Sequence, residues 1–181
     1  MWKKKGEIIL RSQPYSSLLL NEFNHIRCCF CFLPFNTGPR RKCRKEGCVY
    51  NGEYCSVTCA NSDKLHSLEC DLLANAGELM EDFTHFILRT WLKQNQDYKE
   101  DDITSEIVPG RNKPRTFEEF LTHEADLTNN TKKMGHILDH YKILQNYLMD
   151  DGPSLNEFIQ LYGRIVINDF ALWDETGETY G

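Results

Sequence analysis

Eight potential metal ligands fall between residues 28 and 70: Cys28, Cys31, Cys43, Cys48, Cys55, Cys59, His66 and Cys70. Two ligands separated by two to four residues can reach one ion from a single tight turn, with Zn–S near ~2.3 Å. Cys28/Cys31, Cys43/Cys48 and Cys55/Cys59 are such pairs, and the middle pair spans the widest loop. His66 and Cys70 are four residues apart, which puts both side chains on one face of a helix. Eight ligands fill two tetrahedral sites and leave no position open, the pattern of structural rather than catalytic zinc. The order of the pairs alone is compatible with either sequential or interleaved assignment to the two ions.

A disulfide framework is the rival chemistry for so many cysteines. It needs an oxidising compartment and hence a signal peptide. The chain begins Met1-Trp2-Lys3-Lys4-Lys5, but the apolar run Ile8 to Leu10 is broken by Arg11, so no adequate apolar region follows the basic start. No apolar stretch reaches the ~20 residues that cross a bilayer. The spacing therefore favours metal over disulfides, and the expected location is intracellular, in nucleus or cytoplasm, with no membrane contact. Cys29, the eighth cysteine, sits between two ligands, with His25 four residues before it, and reads as a bystander thiol.

The elements that must position these ligands follow from composition and periodicity. The chain has 181 residues, 40% hydrophobic and 27% charged, which predicts folded rather than disordered protein. A finger of about 43 residues buries too little apolar surface to fold alone and depends on its metal. The net charge of −6 argues against general nucleic-acid binding. Arg40, Arg41, Lys42, Arg44 and Lys45 form a basic loop, read as solvated beside metal-bound thiolates rather than as a DNA contact.

Residues 6–20 hold two short apolar runs around Gln13-Pro14, which predict strands with a turn between them. From Asp71 the period becomes helical, with one stripe running from Leu72 through Met80 and Phe83 to Trp91. Residues 94–115 read as a polar linker containing the solvated acidic run Glu100-Asp101-Asp102. Thr116 with Glu119, and Ser154 with Glu157, are capping-box patterns that predict helices after them. A further helical period covers 133–149. The expected fold is α+β: a small two-zinc finger set after short N-terminal strands and followed by a mainly helical region. The expected units are 1–27, 28–70 and 71–181.

The position of the histidine narrows the finger type. It falls mid-string in RING fingers and fifth in PHD fingers; here it is seventh of eight, as in MYND fingers. Cys28-x2-Cys31-Phe32, Cys43…Cys48, Tyr54-Cys55-Ser56-x2-Cys59 and His66-x3-Cys70 closely resemble that finger. The resemblance implies interleaved pairs: Cys28, Cys31, Cys55 and Cys59 on one zinc, and Cys43, Cys48, His66 and Cys70 on the other. The chain departs from the pattern in two places. The tryptophan usual before the histidine is missing from Ala60 to Leu65, and the Cys43–Cys48 gap is longer than usual.

The flanks widen the resemblance. Gly6 to Ser12 with Pro14-Tyr15, and Leu161 to Leu172 with its Asn168-x-Phe170 segment, are similar to parts of the SET and MYND domain lysine methyltransferases (the SMYD family). In that family the finger is inserted into a split SET domain after its first strands, so residues 1–27 would be those strands. Members transfer a methyl group from S-adenosylmethionine to a lysine of a histone or another protein. The resemblance carries over Asn168 and His123 as cofactor contacts. It also implies a glycine-rich cofactor segment upstream, an Asn-His-Ser-Cys motif after Gly181, and a catalytic tyrosine and post-SET zinc site further on. The expectation is thus an N-terminal part of such an enzyme, whose working unit is a MYND finger that captures proteins or short proline-containing peptides. The alternative is the active methyltransferase itself.

Overall fold

Among the described residues, five of the six α-helices open on a capping side chain, and two of those openings set where candidate metal ligands stand. The computed structural model describes residues 4, 7, 14–96, 112, 116–173 and 176–181. Two strands, β1 (Arg41–Lys42) and β2 (Glu53–Tyr54), pair antiparallel with Arg41 opposite Tyr54 and Lys42 opposite Glu53. Helix α1 (Val57–Ser62) starts where Ser56 accepts a hydrogen bond from the Cys59 N–H, and α2 (Lys64–Asn75) where Asp63 accepts from the His66 N–H. The Glu81 carboxylate caps α3 (Asp82–Asn95) by accepting from the Phe83 and Thr84 N–H groups. After α4 (Glu124–Thr128), Asn130 caps α5 (Thr131–Leu148). Helix α6 (Leu155–Asn168) opens with the reciprocal Ser154/Glu157 capping box that its sequence predicts.

Three expectations change. The apolar stripe from Leu72 to Trp91 is two helices: α2 ends at Asn75 and α3 begins at Asp82. Gly77 between them takes a left-handed φ of +78°, which ends a helix and reverses the chain. The Thr116/Glu119 pattern caps only a three-residue 3-10 turn, Phe117–Glu119, with the Glu119 carboxylate accepting from the Thr116 N–H. Phe117 is buried there and stacks on Tyr15 at 4.4 Å between centroids, and the backbone turns extended at Phe120. The strands expected over 6–20 fall partly outside the described residues. Residues 14–20 form no strand; their backbone is held by side chains and a distant loop instead. Lys93 donates to the Tyr15 carbonyl, Arg89 to the Ser17 carbonyl, and the Leu20 N–H to the Tyr180 carbonyl.

One apolar cluster runs through the molecule. It includes Leu73 of α2, Ile87 and Leu88 of α3, Leu144 of α5 and Leu161 of α6, and Cys28, Cys29, Tyr50 and Tyr54 of the finger belong to the same cluster. Helix α2 crosses the expected boundary at residue 70. It carries the ligands His66 and Cys70 and, further along, Leu73 of the core. No helix among the described residues is long and apolar enough to cross a membrane.

Candidate metal centre

The structure brings the eight ligands into two groups of four. Cys28, Cys31, Cys55 and Cys59 form one, and Cys43, Cys48, His66 and Cys70 the other, with ligand atoms within 4.8 Å of one another in each. The chain visits the groups alternately, which is the interleaved assignment.

Turns and helix starts deliver the ligands. In the first group, the segment from Arg27 to Pro34 folds back on itself: the Cys28 N–H donates to the Leu33 carbonyl and the Phe32 N–H to the Cys28 carbonyl. Phe32 is left-handed there, with φ 59°. Cys55 and Cys59 come from the strand end and first turn of α1. In the second group, β1 runs into Cys43, and the following turn brings round Cys48. Gly47 in that turn has φ +78°, and a Cβ there would meet the Ala74 carbonyl oxygen at 2.8 Å, so the turn lies against α2. His66 and Cys70 stand one turn apart on α2, as their spacing predicts.

The distances suit a tetrahedral ion. Bonds of ~2.3 Å to sulfur give tetrahedral edges of about 3.8 Å. The sulfur separations are 3.8 Å for Cys31–Cys55 and 3.5 Å for Cys55–Cys59 in the first group, and 3.5 Å for Cys43–Cys70 in the second. Cys48 Sγ lies 4.0 Å from His66 Nε2. A disulfide requires about 2.05 Å, and all eight cysteines are free. Each group can therefore hold a metal ion, and thiolate-rich sets of this size are compatible with zinc.

The electrostatics of the thiols point the same way. Burial, helped by neighbouring thiols, pushes Cys31 up to about 12 and Cys70 up to about 12. Burial also acts on Cys43, but hydrogen bonds from His66 and the Lys45 N–H outweigh it and bring the thiol down to about 7. Thiols this crowded do not ionise together unless a cation offsets their mutual repulsion. Cys29 stands apart: it is buried, donates to Asn24 Oδ1 at 3.3 Å, and burial holds it at about 11.

The second group has surroundings that sequence reasoning missed. His66 Nδ1 lies 3.3 Å from Glu69 Oε1. Glu69 is fully buried, and α3 supplies its other partners: His85 Nε2 at 2.7 Å from Oε2, and Arg89 through Nε at 3.0 Å and Nη2 at 2.6 Å from Oε1. Burial alone would raise the Glu69 pKa. The Arg89 guanidinium and His85 outweigh it and hold the carboxyl well below the usual range. The Tyr50 ring closes the far side, 4.8 Å from the His66 ring and 5.1 Å from the Arg89 guanidinium. The one sequence signal for this network is Glu69 three residues after His66, on the same helix face.

Three of the five basic residues of the loop are engaged in ion pairs. Arg40 and Lys42 pair with Glu53 at 2.9 and 3.1 Å, and Lys45 pairs with Asp71. The two residues carried over as cofactor contacts part company. Asn168 lines a cavity of about 750 Å³ together with Tyr15, Phe83, Phe86 and Arg164, and donates to the Arg164 carbonyl at 2.8 Å. His123 is outside that lining, half exposed, and paired with Asp126 at 3.1 Å.

Compared with known proteins, the chain matches no family model, and a search of curated proteins finds no match.

Proposed function

We propose that this chain is a zinc-dependent protein-interaction module: a MYND-type finger over residues 28–70 that holds two Zn2+ ions and docks partner proteins through short proline-containing segments. The observation that carries this reading is the pair of closed, interleaved four-donor sets. With four protein ligands each, neither ion keeps an open position, so the metal supplies folding free energy rather than catalysis. Apolar side chains near the first site supply a surface for a partner. Leu33 is 64% exposed, Val57 51% and Phe30 43%. Leu33 also borders a pocket of about 200 Å³, lined with it by Pro34, Phe35, Arg40 and the ligand Cys55. Apolar and aromatic walls of this kind suit the rigid ring of proline, whose extended conformation loses little entropy on binding.

Metal content and a peptide array test this together. Native mass spectrometry should find two zinc per chain, and the array should give hits that vanish with a chelator. One zinc, or no zinc-dependent hit, counts against the reading.

A second reading is favoured by Asn168. In it the chain belongs to a SET/MYND-like protein-lysine methyltransferase, and the cavity bordered by Asn168 belongs to a site for S-adenosylmethionine, with a histone or other protein lysine as acceptor. Titration calorimetry with S-adenosylmethionine tests it. No heat from folded, zinc-loaded protein removes the activity.

A further inference from the structure

The Glu69 network does more than bury a salt bridge, because one of its partners is a metal ligand. We propose that Glu69 and Arg89 are positioning residues for the His66 site, so that this site is completed by a helix outside the finger. The proposal rests on the two-metal reading above.

A carboxylate only accepts, so the groups around Glu69 must donate to it. Its Oε1 faces His66 Nδ1 at 3.3 Å, and its Oε2 faces His85 Nε2 at 2.7 Å. The His66 ring then carries its proton on Nδ1 and turns Nε2 to the three thiols, the face on which Cys48 Sγ lies 4.0 Å away. A ligating histidine held in this way has its tautomer and ring plane set before the ion arrives, and its basicity is raised.

Arg89 acts one step further out. Its Nε and Nη2 grip both oxygens of Glu69, while Nη1 donates to the Ser17 carbonyl at 3.2 Å. That grip fixes which oxygen faces His66. Glu69 and Arg89 are both essentially without solvent contact, so no water competes for the orientation. The first site has a different construction: its four ligands are sulfurs, which have no ring to orient. Metal affinity at the His66 site should therefore depend on α3, while affinity at the four-cysteine site should not.

The test uses the full chain, with Zn2+ and Co2+ as probes. In the zinc-loaded wild type, a long-range 1H–15N spectrum should show His66 bound through Nε2 with a proton on Nδ1. Ligation through Nδ1 overturns the proposal without any variant. Competition with a graded chelator then compares two double variants. Glu69→Leu with Arg89→Met removes both charges together, so neither is left buried alone. It should lower affinity at the His66 site by about 10–100-fold and leave the four-cysteine site unchanged. Glu69→Gln with Arg89→Met restores a neutral acceptor for Nδ1–H and should recover part of that loss. The Co2+ absorption bands separate the two sites, since sulfur-only and mixed sulfur–nitrogen sets absorb differently. Wild-type affinity in the Leu/Met variant, or equal losses in both variants, overturns the positioning role while the two-metal reading stands. A wild type that takes up no metal at the His66 site overturns both. If the Leu/Met variant does not fold, the wild-type spectrum alone decides.

Discussion

The two candidate sites have the same number of donors but different attachments to the molecule. The Cys28/Cys31/Cys55/Cys59 group is held by a folded-back turn and the first turn of the six-residue α1, and its ligands run from buried Cys28 to exposed Cys55. The Cys43/Cys48/His66/Cys70 group takes two ligands from α2, a twelve-residue helix that continues into the common core at Leu73. Its histidine lies between the Tyr50 ring and the buried Glu69, whose other partners stand on α3. One site is thus a local clasp, and the other is a joint between the finger and the helices. An equal number of donors does not mean equal structural consequence, because metal binding stabilises whatever its ligands are already attached to.

Removing both metals gives the largest effect. Binding at structural zinc sites supplies on the order of 10–16 kcal/mol in small finger peptides, so a strong chelator should unfold residues 28–70. Hydrogen exchange should show the loss spreading into α2 and the start of α3 but stopping short of α6. If α2 keeps its protection without metal, the joint has been misread.

Removing the sites one at a time sharpens the contrast. Cys31→Ser and Cys70→Ser should each cost one metal by native mass spectrometry. Cys70→Ser should lower the melting temperature of the whole chain more, since it loosens a helix shared with the core. Equal melting temperatures would erase the distinction between clasp and joint.

Breaking the joint's own ion pair comes next. Arg89→Leu leaves Glu69 charged and buried without its main partner, which costs on the order of 3–5 kcal/mol. Glu53→Ala removes the surface pairs with Arg40 and Lys42 and should cost no more than about 1 kcal/mol. Thermal or urea unfolding of the zinc-loaded variants reads both.

The smallest effect concerns Cys29, which lies beside the clasp without serving it. Burial raises its pKa to about 11, so the thiolate that alkylating reagents attack is scarce at neutral pH and accumulates only as pH rises toward that value. Zinc-loaded protein at pH 7.5 should therefore resist iodoacetamide, and Cys29 should begin to react only as the pH is raised. Rapid modification of Cys29 at pH 7.5, located by peptide mass spectrometry, would contradict the buried placement.

The ligand identities and the i, i+4 placement of His66 and Cys70 could be read from spacing, because one tight turn or one helix turn sets each pair. So could the Ser154/Glu157 start of α6, whose capping atoms lie within one turn. The break at Gly77 was not legible, since the apolar stripe keeps its helical period across the turn. Nor was the short turn after Thr116, which gives way to extended backbone at Phe120 although the capping box is present.

The sequence alone determined that four close pairs of donors exist and that they suffice for two closed tetrahedral sites, because those facts depend only on local separations. Only the tertiary structure decided how the pairs combine, since either order uses the same eight residues and the choice depends on which turns face each other across β1 and β2. It also decided that Glu69, His85 and Arg89 form one buried network. Glu69 lies 16 residues from His85 and 20 from Arg89 along the chain, and each alone reads as an ordinary polar position on a helix. The reversal at Gly77 brings α3 back beside α2 and gathers three separate polar side chains next to His66 of the second candidate site.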